Sequence, residues 1–109
     1  MKATYIQRGE TIDYKNETAD AIKIDSVVSL GTRIAVAGDN IAAGATGVLH
    51  TVGVFSIPKA AEEITIGSDV YYDETNDCIT ATAGTNIPAG YAVQTASASD
   101  TKVNVKLLG

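Results

Sequence analysis

Ala37-Gly38-Asp39-Asn40-Ile41-Ala42-Ala43-Gly44 returns 46 positions later as Ala83-Gly84-Thr85-Asn86-Ile87-Pro88-Ala89-Gly90, with six of the eight residues unchanged. Glycines bound each copy, and each holds one large apolar side chain, Ile41 or Ile87. Neither copy contains a catalytic set. The octet therefore reads as a turn module that folds the chain back twice, with its isoleucine plugging the core while the glycines turn the backbone.

The segments around the octets read as short strands. Val27 to Leu30 and Arg33 to Val36 flank Gly31-Thr32, a two-residue hairpin turn whose first position favours glycine. Thr46 to Leu49 and Val54 to Ile57 suggest a second hairpin that turns near Val52-Gly53. Val70-Tyr71-Tyr72 and Cys78 to Ala81 form a third, with Asp73 to Asp77 at its tip. Tyr91 to Thr95 and Lys102 to Leu107 form the last, and in its final strand Val103, Val105 and Leu107 alternate with Lys102, Asn104 and Lys106. Ile66-Gly67-Ser68-Asp69-Val70 also echoes Ile24-Asp25-Ser26-Val27-Val28.

The expectation is an all-β fold, a small sandwich or barrel of two hairpin–octet–hairpin halves, over 24–57 and 66–107. Pro58-Lys59-Ala60-Ala61-Glu62-Glu63 suits one short helix between them, because proline fits a first helical position. Lys15 to Lys23 is polar and reads as a loop with at most one helical turn. At the front, Thr11 to Tyr14 is an extended run, and the β-prone Ala3 to Gln7 is either a sheet strand or a projecting arm over 1–7.

The 109 residues fit one domain, 1–109, with one modest core. Ala, Val, Ile, Thr and Gly dominate, with one Phe and no Trp, a composition that favours strands over long helices. Net charge is −5, and the eight Lys and Arg residues stand singly. Nucleic-acid binding needs clustered cations, so no nucleic-acid partner is expected. No apolar segment follows Met1 and no run approaches 18 apolar residues, so neither a signal peptide nor a membrane span is expected. These expected absences fit synthesis and assembly in a cytoplasm. Cys78 stands alone, which precludes an internal disulfide, and Asn16-Glu17-Thr18 is a sequon without secretory context.

Candidate chemistry is sparse. His50 is the single histidine and no nucleophile elbow accompanies it, so it reads as a strand residue rather than a triad member. Asp73, Thr75 and Asp77 have the spacing of a calcium loop, but Cys78 stands where the turn glycine belongs and Gly84 where the closing glutamate belongs. They read as hairpin-tip residues. No lysine follows the glycine-rich stretches in a phosphate-binding pattern. Tyr71, Tyr72 and Tyr91 could stack on bases but lack a basic groove, and read as packing residues. Catalytic, metal and cofactor sites are all expected to be absent.

One resemblance spans nearly the whole chain. Tyr5-Ile6-Gln7-Arg8-Gly9 with Ile12-Asp13-Tyr14, Gly47-Val48 through Gly53-Val54-Phe55 and Pro58-Lys59, Gly67 with Val70-Tyr71-Tyr72-Asp73, and Pro88-Ala89-Gly90-Tyr91-Ala92 stand in an ordered set. That set resembles a family of bacteriophage and prophage capsid cement, or decoration, proteins, formerly a domain of unknown function labelled in places a predicted phage RecA/RadA recombinase. The recombinase label fits poorly, because an ATPase of that type needs a Walker A loop and a far longer chain. The resemblance implies a non-catalytic homotrimer on the virion surface, bound to the major capsid protein. Thr4, Tyr5, Ile6, Gln7 and Arg8 form the candidate interaction arm. The alternatives are another virion accessory protein, at the head–tail junction or in the tail, and a DNA-binding recombination accessory protein.

Overall fold

The computed structural model describes residues 1–108. Nine strands follow one another: β1 (Thr11–Lys15), β2 (Val27–Ser29), β3 (Ile34–Ala37), β4 (Thr46–His50), β5 (Val54–Pro58), β6 (Asp69–Asp73), β7 (Cys78–Thr80), β8 (Ile87–Ala92) and β9 (Lys102–Leu107). They form two antiparallel sheets, ordered β1-β4-β3-β2 and β5-β9-β8-β6-β7. The fold is all-β, with no helix among the described residues.

Three of the four expected hairpins form. β2 and β3 pair Val27 with Val36 and Ser29 with Ile34. Leu30 N–H closes the turn onto Arg33 O at 2.8 Å, and Gly31 takes a φ of +90°. β6 pairs with β7, and β8 with β9. The hairpin expected between Thr46–Leu49 and Val54–Ile57 does not form. β4 pairs with β1 and β3, whereas β5 crosses to the other sheet and pairs with β9. At the crossing, Gly53 has a φ of +124° and its carbonyl accepts from Leu107 N–H at 3.0 Å. A glycine turn signal marks a change of direction but does not specify the partner strand.

The helix expected over 58–63 is also absent. Pro58 is the last residue of β5, so its missing N–H lies on a strand end. Lys59 N–H donates to Thr101 O at 3.0 Å and Ala60 N–H to Ile79 O at 2.8 Å. These bonds to residues distant in sequence hold Lys59 in a β-bridge that carries the chain on from β5, in place of a first helical turn. The Lys59–Ile79 bridge is parallel and brings β5 against β7, the two edges of the five-stranded sheet.

The two octets fold differently. In the first, the chain leaves β3 at Ala37, Ile41 bridges Ile22, and Gly44 turns at φ +78°. In the second, the turn falls at Gly84-Thr85 and β8 already begins at Ile87. The shorter echo at 24–28 and 66–70 does fall on matching structure. Asp25 N–H donates to Ala37 O and Ala37 N–H to Ser26 O; Gly67 N–H donates to Ala92 O and Ala92 N–H to Ser68 O. Asp25 and Gly67 both have positive φ, +69° and +85°. Both turns follow an isolated antiparallel bridge, Ile22–Ile41 or Ile64–Ala96.

The core has two parts. Ile34 and Val36 of β3 join Ile57, Val70, Tyr72, Ile79, Val103 and Val105 in the larger cluster, which ties the sheets together. Ala35 and Ala37, which alternate with them along β3, point the other way and pack with Val28, Ile41 and Leu49. β3 is therefore buried on both faces. Ile41 and Ile87 are both buried as expected, but in different clusters.

Candidate interaction surfaces

The first ten residues are exposed, and 1–9 lie in no strand. Tyr5 and Ile6 expose 78% and 82% of their surface. Gln7 Nε2 donates to Thr11 O at 3.2 Å, and Arg8 pairs with Glu10 at 3.2 Å. Both contacts are local and water-exposed, so they hold the segment only weakly. Thr4 to Arg8 thus lead away from β1 with their apolar side chains in solvent.

Two strand edges of the smaller sheet are open, at β1 and β2. β1 carries exposed Asp13 and Lys15, charges that discourage further strand pairing. β2 carries Val27, Val28 and Ser29. On the outer face of the larger sheet, Val54, Lys106, Tyr91 and Asp69 stand opposite one another across four strands. Lys106 Nζ lies 5.8 Å from the centre of the Tyr91 ring, a cation–π distance.

Sequence inspection missed the most connected polar residue, Asn16. It is fully buried. Its Nδ2 donates to Asp20 O at 2.8 Å and Ile41 O at 3.0 Å, and its Oδ1 accepts from Thr18 N–H and Thr18 Oγ1 at 3.1 and 2.6 Å. Its backbone N–H donates to Ala45 O, and its carbonyl accepts from Gly44 N–H. The Asn-x-Thr pattern read as a glycosylation sequon is thus a side-chain turn that clamps the 16–22 loop onto the first octet. That loop contains no helical turn.

The other titratable candidates serve the fold. Asp73 Oδ1 accepts from Thr75 and Asn76 N–H, and Asn76 Nδ2 donates to Oδ2 at 2.7 Å. These bonds, the Asn76 side chain foremost, hold the Asp73 carboxyl below its ordinary range. Tyr72 OH donates to Asp77 Oδ1 at 2.6 Å; burial first and then Asp77 push the phenol upward. Burial also raises the Cys78 thiol. His50 lies on β4 with its ring 6.1 Å from that of Phe55. Lys59 is buried and donates from Nζ to Ala60 O and Glu62 O. No group of three or more His, Cys, Asp or Glu among the described residues could hold a metal ion. The described surface offers strand edges and exposed apolar side chains, features of a kind that strand addition between proteins uses.

A sequence model described as phage cement protein matches residues 6–107, most of the chain. The chain belongs to the phage cement protein family. It is a non-catalytic structural component of the phage capsid, a decoration protein and not an enzyme. As a cement protein it associates with the capsid surface of the virion. No curated protein and no solved structure matches it.

Proposed function

We infer that this cement protein binds the outer face of the assembled head as a homotrimer, bridging seams between major capsid subunits. Pulling two bridged subunits apart then breaks contacts to both, so several weak contacts add up to one stable attachment. The observation that carries this reading is the exposed segment Thr4 to Arg8, whose apolar Tyr5 and Ile6 have no packing partner in their own core. Such a segment gains most by adding a strand to a neighbour. Single, scattered cations and a net charge of −5 speak against a nucleic-acid or membrane partner. Synthesis takes place in the host bacterial cytoplasm, and attachment follows shell assembly.

The chain also reads as two related four-stranded units. The order β1-β4-β3-β2 parallels β5-β9-β8-β6, with β7 added to the second unit. With the Lys59–Ile79 bridge joining its edges, the second unit reads as a small barrel. Both features favour a stiff body, suited to transmitting load between capsid subunits.

Light scattering of the purified protein tests the trimer, and thermal melting of expanded shells tests the cementing. Shells saturated with the protein should melt at a higher temperature than bare shells. Equal melting temperatures would refute the cementing role.

A further inference from the structure

The two sheets differ at one corresponding edge. In the larger sheet, β6 has β8 on one side and β7 on the other. In the smaller sheet, β2 has β3 on one side and, among the described residues, no strand on the other. The matching hydrogen bonds around Asp25–Ser26 and Gly67–Ser68 place β2 and β6 in the same role. The position that β7 fills beside β6 is therefore vacant beside β2.

That vacancy is shaped for a strand. Leu30 and Arg33 form a hydrogen-bonded pair, so by antiparallel alternation Val28–Ala35 is the next one. The N–H and C=O groups of Val27 and Ser29 then point outward, away from β3. A groove flanks β2 on each side. One, of about 490 Å³, is lined by Tyr14, Ala21, Ile22 and Val28. The other, of about 260 Å³, is lined by Val27, Val36, Phe55, Ser56 and Ile57. Successive side chains of an added strand point to opposite faces, one into each groove. Unlike β1, β2 carries no charge to repel a newcomer.

The chain carries a matching segment. Tyr5 and Ile6 are consecutive, apolar and exposed, within a β-prone run that pairs with no strand among the described residues. Lys2 and Arg8 flank this run, and Asp25 lies at the rim of the smaller groove. We propose that the N-terminal arm of a second copy adds as a fifth strand to the open edge of β2, seating Tyr5 and Ile6 in opposite grooves. The arm is then the link between copies, and the proposal rests on the homo-oligomeric part of the function inferred above.

Cysteine pairs test this in the full chain, with Cys78→Ser removing the native thiol. Protein carrying Ile6→Cys or Tyr5→Cys is mixed with protein carrying Ala21→Cys or Ser56→Cys, one for each groove, and oxidised. Disulfide-linked pairs of chains should form, with Ile6→Cys and Tyr5→Cys preferring different grooves. Deleting residues 1–7 should leave the domain folded, reduce the oligomer to a monomer, remove the concentration dependence of the melting temperature, and speed amide exchange at Val27 and Ser29. The proposal is overturned if the deletion variant keeps the oligomeric mass, if full-length protein is monomeric, or if no disulfide forms between an arm cysteine and a groove cysteine. Pelleting with capsids separates the two readings. A deletion variant that stays oligomeric but no longer pellets overturns this proposal and leaves the shell-binding role standing. Full-length protein that cross-links between copies but never pellets supports the arm exchange and removes the shell.

Discussion

Ile41 lies directly over the bare α-carbon of Gly47. A methyl group placed on Gly47 would meet the side chain of Ile41, with Cδ1 only 2.7 Å away. The octet's isoleucine can close the smaller core cluster because the strand beneath it offers no side chain at that point. Substitution of Gly47 by Ala should lower stability by about 1–3 kcal/mol, as expected when a packed core is overfilled. The double variant with Ile41→Val should recover part of that loss, because the two sites are in contact. Denaturant melts of the four proteins give the coupling directly, and strictly additive losses would refute the contact.

Ile87 is the counterpart in the larger cluster. Ile87→Asp would place a carboxylate among Tyr72, Val103 and their neighbours without a partner there, at a cost of several kcal/mol. The variant should unfold or aggregate at room temperature. A thermal melt matching the parent would show that Ile87 is no plug.

Asn16 joins the 16–22 loop to the first octet. Asn16→Ala would remove the side-chain bonds to Asp20 O, Ile41 O and Thr18, at about 0.5–1.5 kcal/mol each, while Thr18 Oγ1 and Ile22 N–H go on donating to the two carbonyls. Asn16→Asp keeps the shape but sets a carboxylate oxygen against those carbonyls, and should destabilise at least as much. Amide exchange should accelerate at Ile22 and Ile41, which bond each other across the bridge. Unchanged protection there would contradict the clamp.

The dependence of stability on pH follows from three shifts. The Asp73 carboxyl lies below its ordinary 3.8 in the folded chain, so its contribution is present above that value and is lost as pH falls through the folded one. The Tyr72 phenol lies above its ordinary 10.0 and the Cys78 thiol above 9.0. Their contributions are present at lower pH and are lost as pH rises beyond those values. Stability should be flat from about pH 5 to 9 and fall on both sides. Tyr72→Phe should flatten the alkaline fall above pH 10, and Asp73→Asn the acid one. A Tyr72→Phe curve that falls as steeply as the parent would remove Tyr72 from the explanation.

Local signals in the sequence sufficed for β1, for the β2–β3 and β6–β7 hairpins and for β9, because two-residue turns and period-two alternation are local properties. They failed wherever long-range partners decide. Val52-Gly53 carries the marks of a hairpin, yet the chain there changes sheets, as the Leu107–Gly53 hydrogen bond records. Pro58 to Glu63 has helical preferences, but the bridge to Ile79 and the bond to Thr101 hold its start against distant residues as a continuation of β5. The octets match in sequence and differ in conformation, because only the first is held by Ile22 and Asn16. The sequence leaves Ala3 to Gln7 open between a strand and an arm, and the unpaired edge of β2 becomes visible only once the strand order is known.

The most direct test of the cement role is co-sedimentation. Purified protein is mixed with expanded, undecorated capsids and, separately, with unassembled major capsid protein, and each mixture is centrifuged. Saturable pelleting with assembled shells, with no complex formed by the free subunit, is the expected result. Protein that stays in the supernatant at saturating shell concentration would contradict it.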